Sequence, residues 1–205
     1  DYPIGCKRVL FTSNWYPTMS RPNVQVENGG VKEVTATGVR DASGKLHKVD
    51  AIIYGTGFKA TDFLTPMKIT GSKGVELNRA WKEGAEAYMG MTVAGFPNFF
   101  MLYGPNTNLG NNSIIFMIEC QVNHIMQCLN ALADKSASTI TVRPQVQQQF
   151  NQELIDRLGD TVWSSGCQSW YVNEQGRNTN NWPGLTSEYR ERTATLAEGD
   201  YEFAN

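Results

Sequence analysis

The groups in this sequence best suited to chemistry are one pair of adjacent cations and two glycine turns. Lys7-Arg8 sets an ammonium beside a guanidinium. Such a pair either lies on a solvated surface, the usual fate of charge, or grips a phosphate and a reacting centre. Gly55-Thr56-Gly57 reads as a tight turn where the backbone can approach a ligand closely. Gly104-Pro105-Asn106 is the second turn. Both could present backbone N–H groups to one large planar cofactor, and both are equally the turns of any α/β domain, since short glycine motifs often match by chance.

Other chemistries find little support. There is no G-x-S-x-G elbow, and only His47 and His124 are present to act as a base for a nucleophile. Asp and Glu total 20, but no spacing singles out a catalytic pair. Cys6, Cys120, Cys128 and Cys167 are widely spaced with no CxxC pair, so no zinc-like ligand set can be assembled and no metal is expected. The four cysteines read as reduced and the protein as cytoplasmic.

Both turns need elements to hold them. Phe96–Glu119 reads as a buried strand (Phe99–Tyr103), the Gly-Pro-Asn turn, a polar loop containing Asn106 and Asn108, and a helix opening at Ile114. Asn112 or Ser113 supplies its N-cap. Loops that deliver a helix N-terminus beyond a strand end are where α/β folds place ligands. The helical stripe runs Ile114, Ile118, Gln121/Val122, Ile125, Leu129, Leu132. Upstream, Val31–Val34, Gly38–Arg40 and Lys45–Val49 flank the turn signal Asp41-Ala42-Ser43-Gly44, which predicts a β-hairpin. Asp50–Tyr54 reads as a buried strand entering the first glycine turn, and Tyr88–Val93 as another strand. Leu77–Glu83 reads as a short helix. Downstream, Thr139–Val142 reads as a strand, and Pro144 opens a second helix with the stripe Val146, Phe150, Leu154, Leu158, Val162. From Gly166 the chain reads as an irregular aromatic tail over the domain, ending in a short helix or extended arm at 185–205.

The 205 residues are 40% hydrophobic and 19% charged with net charge −2, an ordinary globular composition. No basic patch suits nucleic acid, and no apolar run reaches membrane-spanning length. The chain begins Asp1-Tyr2-Pro3 without Met or a signal peptide, and is expected to be a piece of a longer protein.

Five ordered motifs then carry a resemblance: DYPIGCKR, DAIIYGTGF-x3-DF, AYMGMTVAGFPNFFMLYGPNTNLG-x2-SIIFMIE, QSWY and NNWPG. Together they resemble the C-terminal part of class B flavoprotein monooxygenases of the Baeyer–Villiger type, over nearly the whole chain. The resemblance implies an α/β fold, the C-terminal part of a flavoprotein with two dinucleotide-binding domains, containing a β-hairpin, buried strands, a long amphipathic helix and an irregular tail. It divides the chain into 1–24 (end of the NADP-binding region and linker), 25–165 (C-terminal part of the FAD-binding domain) and 166–205 (a tail covering the cofactor site). The implied cofactors are FAD and NADPH. The implied reaction inserts one oxygen atom from O2 into a ketone or aldehyde through a C4a-peroxyflavin; the related subclass oxidises N or S.

Site residues follow from the same resemblance. Arg8 matches the family's active-site arginine, an always-charged guanidinium for an anionic intermediate. Lys7 matches the position that meets the NADPH 2′-phosphate. Thr56 and Gly57 match the Ala-Thr-Gly motif, with Gly55 in place of Ala. Lys59 stands where relatives carry Asp. Gly104, Pro105, Asn106 and Asn108 match the flavin-side loop, and Asn112, Ser113 and Ile114 the helix start near the flavin ring. Trp170 matches a tryptophan that closes over the NADP ribose, or else is a partly buried aromatic anchor. The family's two G-x-G-x-x-G phosphate loops are not in this sequence. The isolated chain is therefore expected to be inactive and colourless, a folded or oligomerisation unit by itself. Its partners are expected to be a small carbonyl substrate and O2, with no nucleic acid or membrane. Self-association is expected through surface left bare by the missing N-terminal half.

Overall fold

The computed structural model describes residues 2–166 and 168–205. The chain divides into two compact units, Leu10–Gly57 and Asp1–Val9 with Phe58–Asn205.

In the smaller unit a single-turn helix, α1 (Trp15–Met19), precedes an antiparallel sheet of β1 (Val31–Thr35), β2 (Gly38–Asp41) and β3 (Leu46–Lys48). Register pairs Val34 with Val39 and Arg40 with Leu46. The hairpin predicted around 41–44 is present, and its cause is Asp41. Its Oδ1 accepts from the Ser43 and Lys45 backbone N–H groups at 2.9 and 3.0 Å, while Oδ2 meets His47 Nε2 at 2.8 Å. The His47 and Ser43 hydrogen bonds hold this carboxyl far below the usual carboxylate range. A side chain at Gly38 would strike the His47 backbone, so that position requires glycine.

The buried strand predicted at Asp50–Tyr54 does not form: Ile53 is 97% exposed and the segment has no ladder. An apolar run becomes a strand only when a neighbour takes its backbone hydrogen bonds, and none among the described residues does. Likewise 55–57 is not a hydrogen-bonded turn; the first turn of that region is closed by Asp62 N–H on the Lys59 carbonyl.

The larger unit contains α2 (Leu77–Ala80), α3 (Ile114–Asp134), β4 (Thr139–Val142), α4 (Pro144–Gly159), α5 (Thr186–Thr193) and β5 (Tyr201–Ala204). The predicted α3 has its Ser113 cap: the hydroxyl accepts from Phe116 N–H at 3.3 Å. Pro144 opens α4 as expected, and Phe150, Leu154 and Leu158 are its buried face. β4 pairs antiparallel with β5, Val142 opposite Tyr201. The 185–205 segment is thus both a helix and a strand. Nor is 166–205 only a surface tail, because Trp182, Tyr189 and Tyr201 belong to the main core with Met117, Cys128, Val142 and Leu154. A second core cluster gathers Leu77, Trp81, Ala87, Val93, Phe96 and Met101.

Three further readings are corrected. Phe99–Tyr103 is no regular strand; it makes an isolated bridge, Thr92 to Phe100, and Leu102 and Tyr103 are exposed. Tyr88–Val93 is a tight turn closed by Tyr88 N–H on the Thr92 carbonyl. The core line of α3 is Met117, Cys120, Gln121, His124, Cys128, Ala131, rotated from the most apolar line. Gln121 and His124 face inward because α5 and β5 offer them partners: Tyr189 OH at 2.9 Å, and the Thr193 carbonyl and Tyr201 OH each at 3.1 Å. The mixed α/β class holds, with small antiparallel sheets in place of buried strands. Cys120 and Cys128 are free, buried thiols, as read; Cys6 is buried and is not a free thiol, and Cys167 lies outside the described residues. No helix among the described residues is long and apolar enough to cross a membrane.

Candidate active site

The 103–109 loop is held from two sides. From α3, Gln121 Oε1 accepts the Tyr103 N–H at 2.9 Å; the Gln121 amide donates to Tyr189 OH, which donates in turn to the Met89 carbonyl at 2.5 Å. From the C-terminal region, 178–182 runs beside the loop. Asn106 and Asn108 N–H donate to the Thr179 and Asn180 carbonyls, both at 2.9 Å, and Trp182 N–H donates to the Asn108 carbonyl at 2.8 Å. The Asn106 amide adds bonds to the Asn178 and Asn181 carbonyls at 3.0 and 3.1 Å. Thr107 Oγ1 closes the turn on the Gly104 carbonyl at 2.7 Å. Gly104 is required by packing: a Cβ there would strike the Gly90 carbonyl oxygen and the Met101 side chain.

An ion-pair cluster fixes the 178–182 segment in its turn. The Arg157 and Arg192 guanidiniums lie 5.5 and 5.6 Å from the Trp182 ring centroid. Glu188 takes a two-pronged bond from Arg157 at 2.6 and 2.8 Å, and Glu153 accepts from Arg192 at 3.0 Å. Arg157 holds the Glu188 carboxyl below its ordinary value, and Arg192 does the same for Glu153. The physical result is one body made of α4, α5, Trp182 and the 103–109 loop.

Against this loop lies a pocket of about 290 Å³, lined by Ala60, Phe63, Tyr103, Gly104, Asn108, Trp170, Tyr171 and Asn180. Tyr103 OH donates to Asn108 Oδ1 at 2.7 Å. Burial pushes the Tyr103 phenol up, and the nearby Arg8 charge partly opposes it. Arg8 Nη2 donates to the Leu109 carbonyl at 3.2 Å, and Arg8 makes no ion pair among the described residues. Lys7 lies outside the pocket wall, its ammonium 4.4 Å from the Tyr2 ring centroid. A guanidinium held by a single carbonyl can still meet an anionic ligand.

The structure therefore brings Arg8, Gly104, Asn108 and Trp170 into one neighbourhood. Pro105 and Asn106 are buried beneath it, and the Asn106 side chain is spent on carbonyls. Asn112, at φ +81°, ties Thr186 to the start of α3 through its amide, Ser113 caps that helix, and Ile114 is half-buried. Thr56 and Gly57 are exposed in the smaller unit, Gly57 at φ +88°. Sequence reading missed Tyr103, Phe63 and Tyr171 as wall residues. Tyr103 was visible only as the neighbour of Gly104; Phe63 carries no signal. It also missed that the hairpin draws Glu27, Asp41 and His47 within 4.8 Å of one another, an ion-pair cluster in which Lys45 Nζ holds Glu27 at 3.0 Å.

No family model matches the chain. A Baeyer-Villiger monooxygenase of Pseudomonas aeruginosa is 43% identical over 205 residues, 99% of this chain and 39% of that protein. One from Streptomyces coelicolor is 42% identical over 98% of the chain. Over nearly its whole length the chain is similar to a portion of these Baeyer-Villiger monooxygenases. It spans about two fifths of the length of these relatives. Solved structures agree. The protein crystallised as OTEMO with FAD and NADP matches all of the chain with a TM-score of 0.88 at 29% identity, over 39% of its own length. A cyclohexanone monooxygenase from Rhodococcus bound to NADP+ matches 98% of the chain and 39% of its own, with a TM-score of 0.86 at 28% identity. The sequence contains no G-x-G-x-x-G phosphate loop.

Proposed function

We propose that the chain is the C-terminal portion of an FAD- and NADPH-dependent Baeyer–Villiger monooxygenase that inserts one oxygen atom of O2 into a ketone or aldehyde. The observation that carries this is the 43% identity to a Baeyer-Villiger monooxygenase over 99% of the chain. The residues present fit the two cofactors: Arg8 and Lys7 are cations without carboxylate partners among the described residues, and the rigid 103–109 loop borders a pocket. Arg8 would stand at the reacting centre, Lys7 at the 2′-phosphate, Trp170 at the NADP ribose, and Gly104, Asn108 and the start of α3 on the flavin side. The flavin, when bound and reduced, supplies oxygen activation. This chain's own residues orient the partners and place a fixed positive charge where negative charge develops. Asn106 acts through the loop, by holding its shape. Residues 1–24, 25–165 and 166–205 then correspond to the end of the NADP-binding region, part of the FAD-binding domain and the segment over the cofactor site.

The test is NADPH oxidation by the full-length protein loaded with FAD, with product analysis on a ketone and a sulfide. Ester from the ketone is expected, and Arg8→Ala abolishes it. Sulfoxide alone would move the protein to heteroatom oxidation, and no NADPH oxidation with any ketone would sink the reading. The isolated 205-residue chain is expected to purify colourless, because dinucleotide affinity comes largely from glycine-rich phosphate sites.

A further inference from the structure

In the smaller unit an arm, residues 24–30, reaches the β2–β3 hairpin at two points before it enters β1. Glu27 Oε1 accepts from the Lys45 ammonium at 3.0 Å, and the Gly30 carbonyl accepts the Ala42 N–H at 3.2 Å. Asp41 fixes the hairpin side of both contacts, because its Oδ1 takes the Ser43 and Lys45 N–H groups. Between these anchors lie Asn28 and Gly29, both exposed. Among the described residues neither the Asn28 side chain nor the Gly29 N–H has a hydrogen-bond partner.

Asn28-Gly29 is the only Asn-Gly step in the sequence. In such a step the side-chain amide is open to attack by the next backbone nitrogen, because glycine has no Cβ to hinder the approach and leaves the peptide free to turn. Asn112-Ser113 supplies the contrast. Asn112 is also exposed and also precedes a small residue, but its Oδ1 accepts the Ser113 N–H at 2.8 Å and its amide donates to Thr186 Oγ1 at 3.1 Å. Both reacting groups are held there, and both are loose at Asn28-Gly29.

We propose that Asn28-Gly29 is a site of spontaneous covalent modification, at which Asn28 deamidates through a cyclic imide, and that the isoaspartyl product releases the 24–30 arm from the hairpin. The Gly29 nitrogen attacks Asn28 Cγ and gives up its proton. The Cγ–Nδ2 bond breaks, and ammonia leaves with that proton. Water then adds to either imide carbonyl and reopens the ring to aspartate or isoaspartate. No oxidant or cofactor enters, and the proposal is independent of the monooxygenase reading. The isoaspartyl form carries the main chain through the former side chain, which adds a methylene to the backbone between Glu27 and Gly30. It also sets a new carboxylate beside Glu27, so that two carboxylates compete for Lys45. Anchors spaced for the shorter chain no longer fit the longer one.

The experiment ages the full-length protein at mildly alkaline pH and maps its peptides by mass, with isoaspartate read by enzymatic carboxyl methylation. Conversion at Asn28 should run at least about tenfold faster than at Asn112, a barrier difference of about 1.4 kcal/mol. Gly29→Ala should suppress it by hindering the attack. That variant should keep the fold, since a Cβ at Gly29 meets nothing within 4 Å. Hydrogen exchange reads the second half of the proposal. The Ala42 N–H should lose protection in the isoaspartyl form and keep it better in Asn28→Asp, which has the charge without the extra methylene. Conversion at Asn28 no faster than at Asn112, or undiminished by Gly29→Ala, overturns the modification site. Unchanged Ala42 exchange in the isoaspartyl form, or equal loosening in Asn28→Asp, overturns the release of the arm.

Discussion

The Asn106 side-chain amide donates to the Asn181 main-chain carbonyl at 3.1 Å, across 75 residues of chain. Together with its bond to the Asn178 carbonyl, this joins the Gly-Pro-Asn loop to the segment that leads to Trp182. Both groups are buried, so the pairing is a matter of stability as well as position.

Asn106→Ala leaves the buried Asn181 carbonyl and the part-buried Asn178 carbonyl short of a donor. A buried group that loses its partner costs about 1–3 kcal/mol, and Ala also tolerates the φ of +57° less well than Asn does. Urea unfolding should show a loss of at least about 2 kcal/mol. An unchanged midpoint would mean that the loop is held without this amide.

Glu188 is gripped by Arg157 and Arg192, and the Arg157 hydrogen bond, first among the causes, holds its carboxyl below the ordinary glutamate value. A carboxylate with a depressed folded-state pKa adds stability above its unfolded value, and that stability is lost as pH falls through the folded value. Stability should therefore drop as pH falls below about 4.5. Glu188→Gln should be less stable near neutrality by about 1–2 kcal/mol and should show a flatter acid limb. Identical acid limbs in the two proteins would remove Glu188 from the account.

His124 is buried between the Thr193 carbonyl and Tyr201 OH, and desolvation lowers its pKa from 6.5, against a smaller opposing pull from the Thr193 bond and Asp200. The folded state thus prefers neutral imidazole. Stability is complete above the unfolded value of 6.5 and declines as pH falls through it, by at most about 1.4 kcal/mol per pH unit. The decline ends below the folded-state value. His124→Gln should narrow the stability difference between pH 7.5 and 5.5, measured by denaturant unfolding with roughly half-unit pH steps. A difference as large as in the unaltered chain would assign the effect elsewhere.

Ile115, Val122, Met126 and Leu129 form an exposed apolar line along α3, with Ile115 65% exposed. Such a line favours contact with another apolar surface. Sedimentation of the 205-residue chain should show concentration-dependent association, which Val122→Lys with Met126→Lys should weaken. A monomer at every loading concentration would contradict this.

Periodicity and capping made α3, α4 and the 38–48 hairpin legible, because each is specified by neighbours within a few residues: Ser113 on Phe116, Pro144 at a helix start, Asp41 on Ser43 and Lys45. The apolar runs 50–54 and 99–103 misled for the converse reason. Both have strand composition, but a strand exists only through a partner elsewhere in the chain. The α3 core line was misplaced because Gln121 and His124 look like surface residues until Tyr189, Thr193 and Tyr201 supply their hydrogen bonds.

The sequence by itself pointed to Baeyer–Villiger monooxygenases, through five ordered motifs, and with them to the candidacy of Arg8, Gly104, Asn108 and Trp170. It also determined the helices whose signals are local. Only the tertiary structure decided that 178–182 runs beside the Gly-Pro-Asn loop, that Trp182 is clasped by Arg157 and Arg192, and that Phe63, Tyr103, Trp170 and Tyr171 face one cavity. Those contacts join residues far apart in the chain, and neither composition nor short-range spacing encodes which distant groups will meet when the core closes.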